Sequence, residues 1–159
     1  MIFVSDFIII NARILTLAGD AAPRRSEAMN DLGIIEHGHV LVRSGVIEHV
    51  QEGAPRDDFI SKNEQVPVVD ANGRVVMPTF VDCHTHACWS GSRLEEFEMG
   101  LKGTPYLEIL ERGGGIMSTV RDVRDASQEQ LCMELLGRLG LMTSLGTTTI
   151  EVKSGYGLT

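Results

Sequence analysis

The chain has 159 residues, of which 43 % are hydrophobic and 23 % are charged. These proportions are typical of a globular protein and argue against disorder. Lysine and arginine number 14 and aspartate and glutamate 22, which gives a net charge of −8. Because the chain has no basic patch or tail, this composition disfavours nucleic acid and anionic membrane surfaces as partners.

The cysteines and the N-terminus bear on the cellular compartment. The chain has three cysteines, Cys83, Cys88 and Cys132. An odd number in a chain large enough not to need disulfides favours free thiols and a reducing compartment. The apolar residues 1–10 have no basic region and are interrupted by Asp6. They fit neither a signal peptide nor a membrane span. We therefore expect a cytoplasmic protein.

The first half of the sequence predicts short β-strands separated by turn residues. Strands are expected at residues 7–10 and 14–17. Two β-hairpins are predicted, one turning at Ser44-Gly45 and the other at Asn72-Gly73. Closely spaced strands of this kind indicate a β-sandwich-like module, or a small barrel, over residues 1–78.

The second half alternates between strands and helices. A strand is expected at residues 79–83, and a helix that starts at Thr104-Pro105 and ends at the glycines 113–115. A second helix begins at Ser127, whose spacing to a glutamine is that of a capping box, and a strand follows at residues 147–152. The order strand, helix, strand predicts a βαβ unit with parallel strands.

The candidate site lies at the end of the first of these strands, in the run Asp82-Cys83-His84-Thr85-His86. Residues two apart on a strand point to the same face, so His84 and His86 can present both imidazoles to one metal ion. Asp82, on that face, is a candidate supporting residue. Neutral imidazole suits Zn, Fe, Ni or Cu, so the residue types do not name the metal. On this spacing alone, two histidines that only hydrogen-bond inside a core are the alternative.

A resemblance to a known family emerges from this run and its surroundings. Residues 77–86 resemble the first-strand signature of the amidohydrolase superfamily. Further segments narrow the resemblance to the imidazolonepropionase family, and they match it in order: Gly91-Ser92-Arg93, Glu96-Phe97, residues 106–109, residues 113–121 and residues 151–158. The resemblance is loose over the first 70 residues and close from residue 77 to residue 158.

The resemblance implies an α/β fold class: the β-sandwich-like module over residues 1–78, then the start of a (β/α)8 hydrolase barrel over residues 79–159. Such a barrel takes about 250 residues, roughly 31 per βα unit, whereas 81 residues follow Pro78. We therefore expect an N-terminal fragment, truncated after the second barrel strand and inactive alone. The family's further metal ligands and acid–base residues are expected on later strands, so we assign no catalytic residue within this chain.

The activity that the resemblance implies is hydrolytic ring opening of 4-imidazolone-5-propanoate to N-formimidoyl-L-glutamate, in histidine degradation. One Zn or Fe ion is implied, with His84 and His86 as two of its ligands. Arg93 and Tyr156 match substrate-binding positions, and the planar guanidinium suits the carboxylate of the propanoate arm. The expected partner is this small molecule. The resemblance is compatible with a homodimer of the full-length parent.

Several alternatives stay open at this point. Taken alone, Arg93 is also explained by a surface ion pair with Glu95 or Glu96, and Tyr156 by an aromatic ring that covers a barrel rim. The whole chain also fits another cyclic-amide hydrolase or an aminohydrolase of the same superfamily. A non-catalytic β-module with a stub of α/β structure is the alternative from a different class. Cys83 points to the strand face opposite His84, so we interpret it as packing.

Overall fold

The computed structural model describes residues 6–19 and 22–157, which form both β-strands and α-helices. The mixed α/β character predicted from the sequence is therefore confirmed. The chain divides into two compact units, Met1–Pro78 and Thr79–Thr159. Among the described residues, none of the helices combines the length and the apolar character that a bilayer crossing demands.

The first unit contains a five-stranded mixed sheet with the order β3-β2-β1-β4, in which β5 also pairs with β1. Strands β1, β2 and β3 are antiparallel, whereas β4 and β5 run parallel to β1. A 3-10 helix precedes β2, and helix α1 lies between β3 and β4. The bounds are β1 Phe7–Leu15, 3-10 helix Ser26–Asn30, β2 Ile34–Arg43, β3 Val46–Glu52, α1 Asp57–Lys62, β4 Val68–Asp70 and β5 Val75–Val76.

The first predicted hairpin is confirmed. Strands β2 and β3 pair with Arg43 opposite Val46, and the two turn residues between them have positive φ angles, 50° at Ser44 and 75° at Gly45. A two-residue turn with both φ angles positive matches the twist of the flanking strands, and glycine adopts such angles without steric cost.

The second predicted hairpin is wrong. Asn72 and Gly73 do form a tight turn, with φ angles of 49° and 74°, but the strands on either side of it do not pair with each other. Both lie along β1, β4 opposite Ile8 to Ile10 and β5 opposite Arg13 and Ile14. After the turn, the chain therefore pairs again with β1, further along that strand.

The two predicted N-terminal strands are one strand, β1, which continues through Asn11. The pairing of β1 with β2 shifts register between Ile9 and Ala12, and Asn11 has a φ of 54°. This is a β-bulge, at which asparagine tolerates the left-handed conformation. The described residues of this unit form a single sheet, so the β-sandwich part of the predicted fold over residues 1–78 is not confirmed.

The second unit begins with β6 (Phe80–Thr85) and ends with β7 (Thr147–Val152), which pair in parallel as predicted for a βαβ unit. Four helices connect them rather than the two expected. They are α2 Leu94–Leu101, α3 Tyr106–Glu111, α4 Ile116–Asp125 and α5 Gln128–Ser144. Two strands do not make a barrel, so the (β/α)8 continuation over residues 79–159 stays a prediction.

Helix ends in this unit follow the predicted capping only in part. Ser127 is the N-cap of α5, and its Oγ accepts the Gln130 backbone N–H at 3.1 Å, as the capping-box spacing indicated. Helix α3, in contrast, has Pro105 as its N-cap and no side-chain cap. The glycine run after α3 also begins α4, since Gly115 is its N-cap with a φ of 77°.

Candidate metal and substrate site

Two histidines lie together where β6 ends. His84 is in the strand and His86 follows its last residue, Thr85. The centroids of the two imidazole rings are 5.5 Å apart, with an interplanar angle of 73°. The Asp82 carboxylate accepts the backbone N–H of His84 at 3.0 Å. Asp82 therefore helps to fix the backbone at His84, the first residue of the pair.

His86 has a buried nitrogen that the described residues leave unsatisfied. Its Nδ1 has no hydrogen-bond partner among them, although the ring as a whole is only half-buried. Leaving a buried polar nitrogen unpaired costs free energy, so such atoms call for an explanation. A ligand held by this imidazole would supply such a partner.

The loop after β7 packs directly against His86. Because β6 and β7 are parallel, their carboxyl ends meet at one edge, and Lys153 N–H donates to the Thr85 carbonyl there at 2.8 Å. The ring centroid of Tyr156 is 5.7 Å from that of His86. A Cβ at Gly155 would lie only 2.2 Å from His86 Nδ1. Glycine at position 155 is thus what permits the close approach.

A cleft of about 280 Å³ begins beside Tyr156 and extends along the segment that follows the histidines. The structure brings Arg93 and Tyr156 together in its wall, and Tyr156 connects this cleft to His86. The volume is near the lower end of the range for small-molecule sites. The complete lining is Trp89, Ser90, Gly91, Ser92, Arg93, Thr119 and Tyr156.

Arg93 is paired with a carboxylate at the cleft wall. Its Nε and Nη2 donate to the same oxygen of Glu96, at 2.9 and 2.6 Å. This pairing raises the pKa of Arg93 and lowers the pKa of Glu96. Glu96 Oε2 also accepts the Gly115 N–H at the start of α4, at 3.0 Å. The ion pair with Glu96 that the sequence left open is therefore present, and the same guanidinium also lines the cleft.

One group of polar residues at this site escaped prediction from the sequence. Gln130, Glu134 and Arg138 lie four residues apart on α5 and contact the segment Ala87–Ser90. Their spacing places them on one face of the helix. This polar row on one helix face was the only feature of the sequence that could have indicated the group. It did not name the partners, which lie 40 or more residues away along the chain.

Other candidate residues stay outside the site chemistry. In the described part of the chain, no group of three or more His, Cys, Asp or Glu is placed to hold a metal ion. Cys83 is exposed, so its interpretation as a packing residue is not confirmed, and Cys88 is half-buried; both are free thiols. The Lys153 ammonium pairs with the Glu151 carboxylate. The assignment of His84 and His86 as metal ligands therefore stays a prediction.

Comparison with known proteins identifies the relatives of this chain. No protein-family model matches it. It is 47 % identical over 157 residues to the imidazolonepropionase of Symbiobacterium thermophilum, and 44 % identical over 154 residues to that of Bacillus thuringiensis. Each alignment covers 96 % of this chain and 36 % of the relative. A crystal structure of an uncharacterized protein aligns over 91 % of this chain and 25 % of its own, with a TM-score of 0.49 and 18 % identity.

The sequence matches show that the chain is homologous, over nearly its whole length, to a known protein family. That family is imidazolonepropionase, so the resemblance indicated by the motifs is confirmed. The chain spans about 36 % of the length of these relatives.

Proposed function

We propose that the natural protein in which this sequence occurs is a metal-dependent hydrolase of the imidazolonepropionase type. It would open the ring of 4-imidazolone-5-propanoate with water to give N-formimidoyl-L-glutamate, a step of histidine degradation. The observation that carries the proposal is the contact between two parts of a site. Tyr156 lies against His86, beside the histidine pair, and also lines the cleft that contains Arg93.

The histidine pair fits one Zn or Fe ion. The buried Nδ1 of His86 has no partner among the described residues, and the ring of His84 lies beside it. Neutral imidazole is a common ligand of both metals, and an unpaired buried nitrogen calls for a partner. When bound, such an ion would act as a Lewis acid and lower the pKa of a water molecule toward neutral pH.

The cleft supplies the groups that a propanoate substrate needs. A guanidinium has five N–H donors, and Arg93 commits the Nε–H and one Nη2 hydrogen to Glu96. The remaining N–H groups can donate hydrogen bonds to the substrate carboxylate. The contact with Glu96 keeps the Arg93 guanidinium in one orientation. The imidazolone ring would then extend past Tyr156 toward His86. Water adds to the ring carbonyl carbon, the bond between that carbon and the ring nitrogen breaks, and the released nitrogen takes a proton from the water, which leaves a carboxylate and a formimidoyl group.

The chain alone would lack part of this machinery. Catalytic zinc sites use three protein ligands, whereas His84 and His86 are two. We therefore propose that the 159-residue chain by itself has no ring-opening activity. A reducing, cytoplasmic location is consistent with the free thiols of Cys83, Cys88 and Cys132.

Replacement of one candidate ligand tests the proposal. In the natural protein, His84→Ala should remove most of the bound metal and nearly all turnover of 4-imidazolone-5-propanoate. His37→Ala is the matched control, because His37 is an exposed histidine on β2 in the other unit. Metal content is measured by elemental analysis and turnover by the loss of imidazolone absorbance. A His84→Ala protein that keeps its full metal content would overturn the ligand assignment.

A further inference from the structure

The segment that connects the histidines to the cleft is held from one side by helix α5. Ala87, Trp89 and Ser90 follow His86 directly, and Ser90 is 3 % exposed. This segment has no regular secondary structure of its own. Its position therefore depends on contacts with its neighbours rather than on a backbone hydrogen-bond ladder.

Arg138 makes most of those contacts. Its Nη1 donates to the carbonyl oxygens of Ala87 and Trp89, at 3.0 and 2.7 Å. Its guanidinium carbon lies 3.7 Å from the centroid of the Trp89 ring, a cation–π distance. One planar group thus fixes both the backbone and the side chain of the segment at Trp89.

A carboxylate next to Arg138 fixes the segment at its other end. Glu134 Oε2 accepts from Arg138 Nη2 at 3.0 Å, while its Oε1 accepts from Ser90 Oγ at the same distance. Gln130 Nε2 donates to Ser90 Oγ at 2.9 Å and to Glu134 Oε1. These hydrogen bonds lower the pKa of Glu134, with the Gln130 and Ser90 contacts as the largest causes. Glu134 therefore stays ionised and links Arg138 to Ser90.

The burial of this pair sets it apart from an ordinary helix-surface ion pair. The side chains of Arg138 and Glu134 are 25 % and 30 % exposed, whereas the equally spaced pair Arg112 and Glu108 on α3 is 61 % and 44 % exposed. Lysine could not reproduce the arrangement, because a point charge cannot stack on the indole and bond two carbonyls in a planar fork.

We propose that Arg138 is a positioning residue for substrate binding, because it holds the segment Ala87–Ser90 in the place where Trp89 and Ser90 form the cleft wall. The inference rests on the proposed function, since it takes this cleft as the substrate site. Arg138 acts through its contacts with the segment and does not line the cleft. The segment follows His86 directly, so its displacement would move the cleft wall relative to the histidines.

Two variants of the natural protein test the inference. Arg138→Met keeps an unbranched side chain of similar length and removes the donors, and Arg138→Lys keeps the charge. A displacement of about 1 Å in an active site costs about a hundredfold in rate, so both should lower kcat/KM by about that factor. The loss should appear mainly as a raised KM, because the cleft binds the substrate. Arg112→Met, which breaks the exposed pair, should leave both constants unchanged.

Trp89 provides a spectroscopic signal of the contact between Arg138 and the segment Ala87–Ser90. It is the only tryptophan in these 159 residues, and a Trp89→Phe reference spectrum isolates its emission in the natural protein. Loss of the guanidinium uncovers the ring, so the Trp89 emission maximum should move to longer wavelength in Arg138→Met and not in Arg112→Met. Circular dichroism checks that each variant is folded.

The possible outcomes separate the inference from the proposed function. Folded Arg138 variants with the KM and the Trp89 emission of the wild type would overturn the inference. If Arg138→Met does not fold, a folded Arg138→Lys protein with wild-type KM would overturn it equally. A wild-type protein without ring-opening activity would refute the proposed function instead. The Trp89 emission of Arg138→Met would then still decide whether Arg138 holds the segment Ala87–Ser90 in place.

Discussion

The close contact between Gly155 and His86 makes the substitution Gly155→Ala informative. A Cβ at this position would lie 2.2 Å from His86 Nδ1 and 2.6 Å from Cε1, whereas ordinary contacts begin at 3.4 Å. The imidazole must therefore retreat by about 1.2 Å, the difference between 3.4 and 2.2 Å, or the loop after β7 must move by as much. The backbone at Gly155 does not have the positive φ that would itself exclude alanine, so the effect comes from the contact alone.

The size of the effect depends on that displacement. A shift of about 1 Å in an active site costs about a hundredfold in rate, and a disturbed neighbour of a metal ligand costs about 10- to 100-fold in metal affinity or activity. Gly155→Ala should therefore lower kcat/KM for 4-imidazolone-5-propanoate by about two orders of magnitude and reduce the metal content after dialysis.

Gly157→Ala is the matched control for this experiment. Gly157 lies in the same loop, also lacks a positive φ, and a Cβ there would meet nothing within 4 Å. Alanine at a compatible position stabilises a protein by about 0.4–1 kcal/mol through the unfolded state, so the control should be active and slightly more stable. If Gly155→Ala matched Gly157→Ala in metal content and kcat/KM, the reasoning that places His86 in the site would be refuted.

Two further predictions concern the cleft wall. Arg93→Ala should raise KM or lower kcat/KM with only a modest loss of Tm, because the Arg93 side chain is 42 % exposed and solvent screens its ion pair with Glu96, whose side chain is 13 % exposed; a large loss of Tm with normal kinetics would assign Arg93 a structural role instead. Glu96 has a pKa below its ordinary value of 4.5, chiefly through its hydrogen bond from Arg93. Its stabilisation is therefore present above pH 4.5 and is lost as the pH falls below that value. Thermal unfolding from pH 7 to pH 3 should show the wild type approaching Glu96→Gln at the acid end, and a constant Tm difference would contradict the assignment.

Local signals in the sequence were sufficient for several elements of the fold. The turn at Ser44-Gly45 could be predicted from residue type, because a turn depends on neighbours along the chain. The β6–β7 pair, which joins Phe80 to the distant Thr147, could be predicted from the order strand, helix, strand. Asn72-Gly73 gave an equally good turn signal, and the turn is present. The signal could not contain the pairing partner, because β4 and β5 both pair with the distant β1.

Some residues of the candidate site could likewise be predicted from the sequence, and others could not. The alternation of side chains on a strand was enough to bring His84 and His86 together, and the resemblance to a family pointed to Arg93 and Tyr156. The contacts of Arg138 join residues 49 and 51 positions apart along the chain. Helix α4 was missed because the glycine run was interpreted only as a stop, whereas Gly115 also begins a helix. A cap that ends one element does not reveal the type of the next element.

The most direct test of the central claim is product formation by the natural protein. Metal-loaded protein is incubated with 4-imidazolone-5-propanoate, and the products are identified by mass spectrometry beside a sample stripped of metal with a chelator. The account predicts N-formimidoyl-L-glutamate, with the mass of one water added, from the loaded protein and almost none from the stripped one. An intact substrate with the loaded protein, or equal turnover without metal, would contradict it.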